Sequence, residues 1–596
     1  MRILIFFLVA FCSFALSAQD LVILHTNDMH SHLNGLSPEA EYTPLEKDND
    51  PTLGGFSRIA GFISSERNIY HNKLLVVDAG DFLMGTFFQT LELHEGFQLN
   101  LMRKMGYEAV ALGNHEFDYG PDSLAKIINN SIQNGPTPQI LCSNYGGSNK
   151  TTDHDLRKLF ENGTVLPYTI IIKNGYRIGI FSLMGVDANE SIASSFGMKF
   201  TNQRKVARQT AAFLKKEEKV DLVLVLSHSG VYLNKKGEWD GEDIKLGKAV
   251  PEIDIIISGH SHSTLNSPVQ AGNAVVVQTG ASGANVGRIE VKFDSYGKPL
   301  VQASLVAMDD NIKADPEIQQ LIDDKIPWIE EHILSGIGVG YRTIVAETSF
   351  DLVLDEMKPK ESNLGPFIAD AIYYQVNNIE GDLGVDVVMV ASGVIRNNIF
   401  KGNKGQQNIN DIFNVMPLGM GSTLIPGHSL ARVFVTGNEL KRIMELILAV
   451  YPIKPSYFLH FAGMEIEYNP NKRLFTKIAE IRTGNSIDGF KKIDISKKST
   501  EMLSIAANEY MIGFIGQLKK MSFGIVNVVP KNADGSPVVD NNFLIDMDVS
   551  AEGIQEAKEW LAIYHYLISF NDTSGNGIPN IPKQYMQKRN SLIPLE

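Results

Sequence analysis

Cysteine is nearly missing from this chain: 596 residues hold two, Cys12 and Cys142. Cys12 sits in an apolar N-terminal run. If that run is removed, one thiol remains, and one thiol closes no internal disulfide. Cys142 reads as a small buried residue rather than a reactive one. Positive charge is also short. Lys and Arg number 54 against 68 Asp and Glu, a net charge of −14 with a pI near 5.5. That balance excludes the broad basic face a nucleic-acid polymer needs. Past the N-terminus no run is long and apolar enough to span a bilayer. The closing SLIPLE lacks the tail of a lipid-anchor signal, so no stable membrane anchor is expected. There is no fixed-period repeat and no long low-complexity linker.

What is there begins with Met1-Arg2 and ILIFFLVAFCSFALSA. A positive start, an apolar core and a small-residue exit at Ala18 predict a signal peptide over 1–18 and export, periplasmic or extracellular. Hydrophobic content of 44% and charged content of 20% are those of a globular protein. The length predicts two folded units. The first spans 19–312, where strand-like runs alternate with amphipathic stretches such as SRIAGFISSERN and KVARQTAAFLKKEEK. AVVVQTGASGANVGRIEVKFD reads as a hairpin that closes it. A linker helix is expected over 313–338, starting at Asp315-Pro316 and ending at Gly336. A second mixed α/β unit spans 339–549. Its elements are a helix in ESNLGPFIADAIYYQVNN, a strand in VDVVMVAS, a helix in SLARVFVTGNELKRIMELILAV and a hairpin in AGMEIEYNPNKR. The last segment, 550–596, holds a helix in AEGIQEAKEWLAIYHYLISF and then NDTSGNGIPNIP. That tail has some calcium-loop character. It lacks the closing glutamate and acidic density of an EF-hand, so it reads as a solvated turn-rich stretch.

Five apolar runs in the first unit each end in a polar cluster. LVILHTN leads to Asp28-Met29-His30 and LLVVDA to Gly80-Asp81. AVALG leads to Asn114-His115-Glu116, DLVLVLS to His228, and DIIIS to Gly259-His260-Ser261-His262. A parallel sheet gathers the carboxyl ends of its strands along one edge, where residues distant in sequence converge. Asp, Asn and His are the oxygen and nitrogen ligands of divalent metals.

Asp28, His30, Asp81, Asn114, His228, His260 and His262 are too many donors for one ion. Two ions sharing a carboxylate accommodate them, about 3.5–4 Å apart. Two such ions acidify a water and offset charge on a phosphoryl oxygen. The D-x-H and H-x-H spacings place both members on one side of an extended exit. His115 follows Asn114 directly and so points elsewhere, with Asp118 three residues on. That His–Asp pair reads as an acid or a transition-state donor. The remaining histidines read as ordinary surface or core residues.

At these clusters the chain resembles the 5′-nucleotidase family of secreted metallophosphoesterases. The matching text is HTNDMHSH, GGFSRIAGF, DAGDFLMGT, GYEAVALGNHEFDYG, LSHSG and SGHSHS. The resemblance implies a four-layer α/β/β/α catalytic domain followed by a mixed α/β substrate-binding domain. It implies one metal on Asp28, His30, Asp81 and His262, a second on Asp81, Asn114, His228 and His260, and His115 with Asp118 as the dyad. The Asp/Asn/His set accepts Zn²⁺ and Mn²⁺ alike.

The second unit departs from the family pattern. KESNLGPFIADA carries Lys360 where the family has arginine. VASGVIRNN keeps Gly393 and Arg396 but has Ala391 for a base-contacting asparagine and Val394 for a glycine. NVMPLGMG has Leu418 for a base-stacking aromatic. MIGFIGQLKKMSFG offers Phe514 as the second aromatic and Lys520 near an expected aspartate. Each lost stacking partner removes about 1–3 kcal/mol per base. Lys360 attracts phosphate without a planar fork, and Arg396 is the best phosphate ligand here. The reading is an exported phosphomonoesterase with two divalent ions. His115, Asp118 and Arg396 are catalytic; Lys360, Arg396, Leu418 and Phe514 bind substrate, nucleoside 5′-monophosphates by default. Alternatives are cyclic nucleotides, nucleotide sugars, a non-nucleotide ester, or a metal-scaffolded binding protein without turnover.

Overall fold

The computed structural model describes residues 21–148, 153–192, 197–379, 384–420, 425–485, 487–513, 515, 524, 526–539, 543–548, 550–589 and 591–595. The signal peptide read at 1–18, Phe514 and Lys520 lie outside these residues.

Two sheets face each other in the first unit. Strands β1 (Leu21–Thr26), β2 (Leu74–Asp78) and β3 (Ala109–Ala111) run parallel inside a seven-stranded sheet. Strands β4 (Leu222–His228) and β5 (Ile255–Ser258) run parallel inside a six-stranded one. Side chains alternate across each strand. Leu21, Ile23, Leu75 and Val77 share one core with Leu222, Leu224, Ile255 and Ile257 of the facing sheet. Val22, Leu24 and Val76 point the other way, into a core with Phe56 and Ile59 of the helix Phe56–Tyr70. Val223 and Val225 pack against Ala207, Ala211 and Leu214 of the helix Gln203–Lys216. The layers are therefore helix, sheet, sheet, helix. Burial on both faces is why these strands are nearly continuous apolar runs.

The closing strands differ from the expected hairpin. Ala274–Val277 belongs to the six-stranded sheet, whereas Asn285–Phe293 pairs with β1 in the other. Gly280 and Gly283, at φ of 90° and 69°, turn the chain from one sheet to the other. The linker is also not one helix. It runs Pro316–Asp323, Ile326–Ile329, a π turn at Glu330–Leu334 and a 3-10 turn at Ser335–Ile337. Pro327 has no N–H for the helical ladder, and the stop is Gly338 at φ 72°, not Gly336.

In the second unit, helix α1 (Leu364–Asn378) packs on the sheet containing Val387–Ala391 and Leu459–Ala462, and helix α2 (Glu559–Ile568) packs on α1. SLARVFVTGNELKRIMELILAV, expected as one helix, is the strand Leu430–Thr436 followed by the helix Gly437–Val450. LARVFVT alternates like a strand, and a capping box between Thr436 and Glu439 starts the helix anew. α2 is shorter than expected. Lys558 and Glu556 make strand-type bridges to Ser429 and Asp546, so helix begins only at Glu559. The strand Leu592–Pro594 pairs with Met464–Tyr468.

One apolar core runs through both units. At its centre Phe87 stacks on Phe413, 3.9 Å between centroids, and Trp560 closes edge-on to both at 5.4 and 5.5 Å. Gln89 Nε2 donates to the Pro417 carbonyl at 2.9 Å beside them. This packing holds the second unit over the strand ends of the first.

Candidate functional site

The carboxyl ends of β1 to β5 converge as their parallel order requires. Asp28, His30, Asp81, Asn114 and His228 are buried, and His260 and His262 are nearly so. Asp28, His30 and His262 form one donor group; Asp81, His228 and His260 form another; His30, Asp81 and His115 form a third. Within each, the ligand atoms lie within 4.8 Å of one another. Asn114 Oδ1 joins the second group, 3.1 Å from His228 Nε2 and 3.0 Å from His260 Nδ1. Asp81 belongs to two groups. All seven predicted donors are thus brought together.

The backbone is strained where it serves this site. Asp28, His30, Asp81, His260 and His262 all have positive φ, from 50° to 76°. Such conformations cost non-glycine residues about 1–3 kcal/mol each and persist where the surroundings impose them. The turns aim consecutive donors inward as each strand ends.

The donor set fits a cation. His30 Nδ1 lies 3.1 Å from the Met84 carbonyl and His228 Nδ1 3.0 Å from that of Ala79. Each of these nitrogens therefore donates its proton outward, which turns Nε2 inward as the atom that would take a proton or an ion. His228 Nε2 faces Asp81 Oδ2 at 2.9 Å and Asn114 Oδ1 at 3.1 Å. His30 Nε2 faces His262 Nε2 at 3.0 Å. Acceptors aimed at one another repel; a divalent ion among them turns repulsion into ligation. Burial alone would lower the His228 imidazole. Asp81 and Asp28 outweigh it and raise it to about 10, which measures the demand for positive charge here. Burial, with Arg396 beside them, holds His30 and His262 well below the usual histidine range.

His115 Nδ1 and Asp118 Oδ2 are 2.5 Å apart, and His115 Nε2 faces the centre, 4.0 Å from Asp81 Oδ2. The His115 N–H donates to Asp81 Oδ1 at 2.8 Å, which ties the dyad to a metal-donor carboxylate. Arg396 arrives from the second unit. Its Nη2 lies 3.2 Å from both His30 Nε2 and His262 Nε2. Residues 21–264 match the calcineurin-like phosphoesterase family, and residues 339–511 match the 5′-nucleotidase C-terminal domain.

The chain is a metallophosphoesterase of the 5′-nucleotidase family.

Its relatives are distant. It is 27% identical over 489 residues to the trifunctional nucleotide phosphoesterase protein YfkN of Bacillus subtilis, covering 78% of this chain and 30% of that protein. It is 27% identical over 498 residues to the 5′-nucleotidase of Mus musculus, covering 78% of each. A solved structure, the 5′-nucleotidase precursor of Thermus thermophilus, shares the fold with a TM-score of 0.67 at 22% identity, over 94% of this chain and 99% of that one.

The remaining predicted residues fall in different places. Lys360 Nζ meets the Tyr468 hydroxyl at 3.4 Å and lies over its ring, with no contact to the metal donors shown. Leu418 is buried in the core between the units. Ala391 ends its strand, half-buried. Other residues escaped the sequence reading. Glu116 is buried and accepts three main-chain N–H groups, from Asp81 at 3.0 Å, Gly113 at 2.6 Å and Leu83 at 2.9 Å. It clamps the Asp81 turn to the Asn114 turn; its place beside Asn114-His115 was the signal. Asp243 accepts Ser227 Oγ at 2.5 Å and Ser258 Oγ at 2.6 Å, joining the ends of β4 and β5. From the second unit, Lys454 pairs with Asp187 at 2.6 Å, and Asp187 approaches His260 Nε2 at 3.4 Å. Burial, Asp118 and Tyr457 push the Tyr510 phenol up to about 12, so Tyr510 sits in electrostatic reach of the dyad. No local pattern marks Tyr510, whose place near Asp118 comes only from domain packing.

Proposed function

We propose that this chain is an exported phosphomonoesterase using two divalent ions, with nucleoside 5′-monophosphates as its first substrates. The observation that carries the two-ion centre is the convergence of seven donors, with Asp81 grouped with His30 on one side and with His228 and His260 on the other. Asp28, His30, Asp81 and His262 would hold one ion; Asp81, Asn114, His228 and His260 would hold the other. When bound, the ions supply an activated water and neutralise charge on the phosphoryl oxygens.

The chain's own groups do the rest. Arg396 presents Nη2 over His30 and His262, placed to hold a phosphate oxygen through charge-assisted hydrogen bonds. Asp118 accepts from His115 Nδ1 and so fixes the ring with Nε2 toward the centre. From there Nε2–H donates to a phosphoryl oxygen or to the departing ester oxygen. One water adds to phosphorus, the bond to the ester oxygen breaks, and that oxygen leaves as the alcohol with a proton. For the base, Tyr510, in electrostatic reach of Asp118, is a further aromatic candidate beside Phe514, whereas Leu418 is buried between the units. Relatives named for nucleotide hydrolysis favour a nucleotide; Lys360 and Ala391 leave the base and sugar contacts particular to this chain. The N-terminal run of residues 1–18 supports export.

The test is phosphate release from metal-loaded protein across nucleoside 5′-monophosphates, cyclic nucleotides, nucleotide sugars and simple phosphate esters. A 5′-monophosphate is expected to give the highest kcat/KM. No turnover of any ester by the metal-loaded protein, or equal turnover by Asp81→Ala, contradicts the assignment and favours a binding protein.

A further inference from the structure

The stretch Asp572-Thr573-Ser574-Gly575-Asn576-Gly577-Ile578-Pro579-Asn580 carries oxygen-bearing side chains at nearly every second position. An EF-hand loop takes ligands from positions 1, 3, 5, 7 and 9, the seventh through a main-chain carbonyl, with glycine at 6 and a bidentate glutamate at 12. Counting from Asp572, Ser574, Asn576, Ile578 and Asn580 fall at those positions, and Gly577 is the sixth, at φ 85°. Position 12 is Lys583, so the sequence alone lacks the glutamate. The fold supplies one from far earlier in the chain: Glu347.

Glu347 is stitched to the loop through its backbone. Its N–H donates to the Pro579 carbonyl at 2.8 Å, and its carbonyl accepts from Ile581 N–H at 2.9 Å. Both carboxylate oxygens then face the loop. Oε1 accepts from Asn576 Nδ2 at 2.9 Å and Oε2 from Asn580 Nδ2 at 3.2 Å. Asp572 is held in turn by Ser574, Gly575 and Gly577 N–H groups at 2.6–3.0 Å.

The decisive feature is that four acceptor oxygens gather round one hydroxyl, although Asn580 Oδ1 also accepts from Thr573 and Ser574 and Asn576 Oδ1 from the Ile578 N–H. Ser574 Oγ lies 3.2 Å from Asp572 Oδ1, 3.1 Å from Asn576 Oδ1, 3.3 Å from Asn580 Oδ1 and 3.4 Å from Glu347 Oε2. A hydroxyl has one hydrogen, so it bonds to one of these four acceptors and leaves three oxygen–oxygen contacts without a proton. Oxygens 2.3–2.6 Å from a common calcium ion stand roughly 2.7–3.7 Å apart along the edges of its polyhedron, which covers the observed spacing. Among the described residues, no cation pairs with Asp572 or Glu347, although each brings a negative charge. A cluster of neutral and anionic oxygens without nitrogen or sulfur suits a hard ion, not the ions favoured by the histidine-rich centre.

We propose that Asp572, Ser574, Asn576, the Ile578 carbonyl, Asn580 and Glu347 form a calcium site that fastens the C-terminal segment to the strand Ile344–Glu347. With two carboxylates, its affinity belongs to the weak, extracellular class, about 0.1–1 mM. The test uses the full mature chain, stripped with chelator and reloaded with Mn²⁺. Bound calcium per chain is measured by equilibrium dialysis against CaCl₂, beside Asp572→Ala and Glu347→Gln. Wild type is expected to bind one calcium more than either variant within that range, with affinity in each variant down about tenfold or more. Magnesium at equal concentration is expected not to displace it. Unchanged phosphate release in the variants reports that they fold. Wild type binding no additional calcium at about ten times the upper affinity limit overturns the site, independently of any variant. So does equal calcium in wild type and folded variants, and displacement by equal magnesium overturns the assignment to calcium.

Discussion

Glu116→Gln isolates the clamp that sets the metal-donor turns. The carboxylate accepts Asp81 and Gly113 N–H on Oε2 and Leu83 N–H on Oε1, all buried. Glutamine has nearly the same shape but one acceptor oxygen. Its best placement keeps the two bonds at the Oε2 position and turns its NH₂ group onto the Leu83 N–H. One buried donor then loses its partner, at about 1–3 kcal/mol. That corresponds to roughly a 5- to 150-fold shift against the native turn geometry. At about 2–4 °C per kcal/mol, Tm should fall by roughly 2–12 °C. Asp81 and Asn114 sit on the two turns concerned, and misplacing catalytic groups by about 1 Å costs on the order of a hundredfold. Phosphate release should therefore fall at least about tenfold in kcat at limiting metal. The assay pairs circular-dichroism melting with phosphate release across a metal titration. Wild-type Tm together with a wild-type rate at limiting metal would refute the clamp.

Asp118→Asn keeps the shape of the dyad but removes the carboxylate that holds His115 Nδ1–H; kcat should drop by about 10²–10⁴-fold with Tm nearly unchanged. Phe413→Ala removes the ring stacked on Phe87 and Trp560 and should cost about 3–5 kcal/mol, read as an earlier unfolding transition in denaturant. Burial raises the Asp243 carboxyl to about 7, so folding favours its protonated form; its contribution is complete below pH about 4 and is lost as pH rises through 7. Asp243→Asn cannot ionise, so stability against pH should be flatter than wild type between pH about 4 and 7, by on the order of 4 kcal/mol at most. Parallel curves for the two proteins would contradict this.

The convergence of the seven proposed donors was readable in advance because parallel strands obey a simple rule. Continuous apolar runs place their ends on one edge, and D-x-H and H-x-H spacings there leave few other uses. The family resemblance supplied the layer order and the proposed pairing of donors to two ions. Local period misled where two elements abut without a loop. LARVFVT and the helix after Gly437 fuse into one apparent amphipathic stretch, and only the Thr436 capping box separates them. The strands Ala274–Val277 and Asn285–Phe293 looked like a hairpin because glycine-rich text joins them, yet each finds a better partner in a different sheet. Asp243 acts on hydroxyl groups, which no spacing announces, and Glu116 acts on backbone groups, marked only by its place beside Asn114-His115. Glu347 and Tyr510 meet their neighbours only through tertiary packing over long sequence separations.

Metal stoichiometry against activity tests the central claim most directly. Chelator-stripped protein is titrated with Mn²⁺ or Zn²⁺ while phosphate release from a nucleoside 5′-monophosphate is followed. The seven-donor centre with Asp81 shared predicts no activity without metal, a rise that saturates at two ions per chain, and loss of both activity and that stoichiometry in Asp81→Ala. Full activity in stripped protein, or saturation at one ion with Asp81→Ala unaffected, would contradict it.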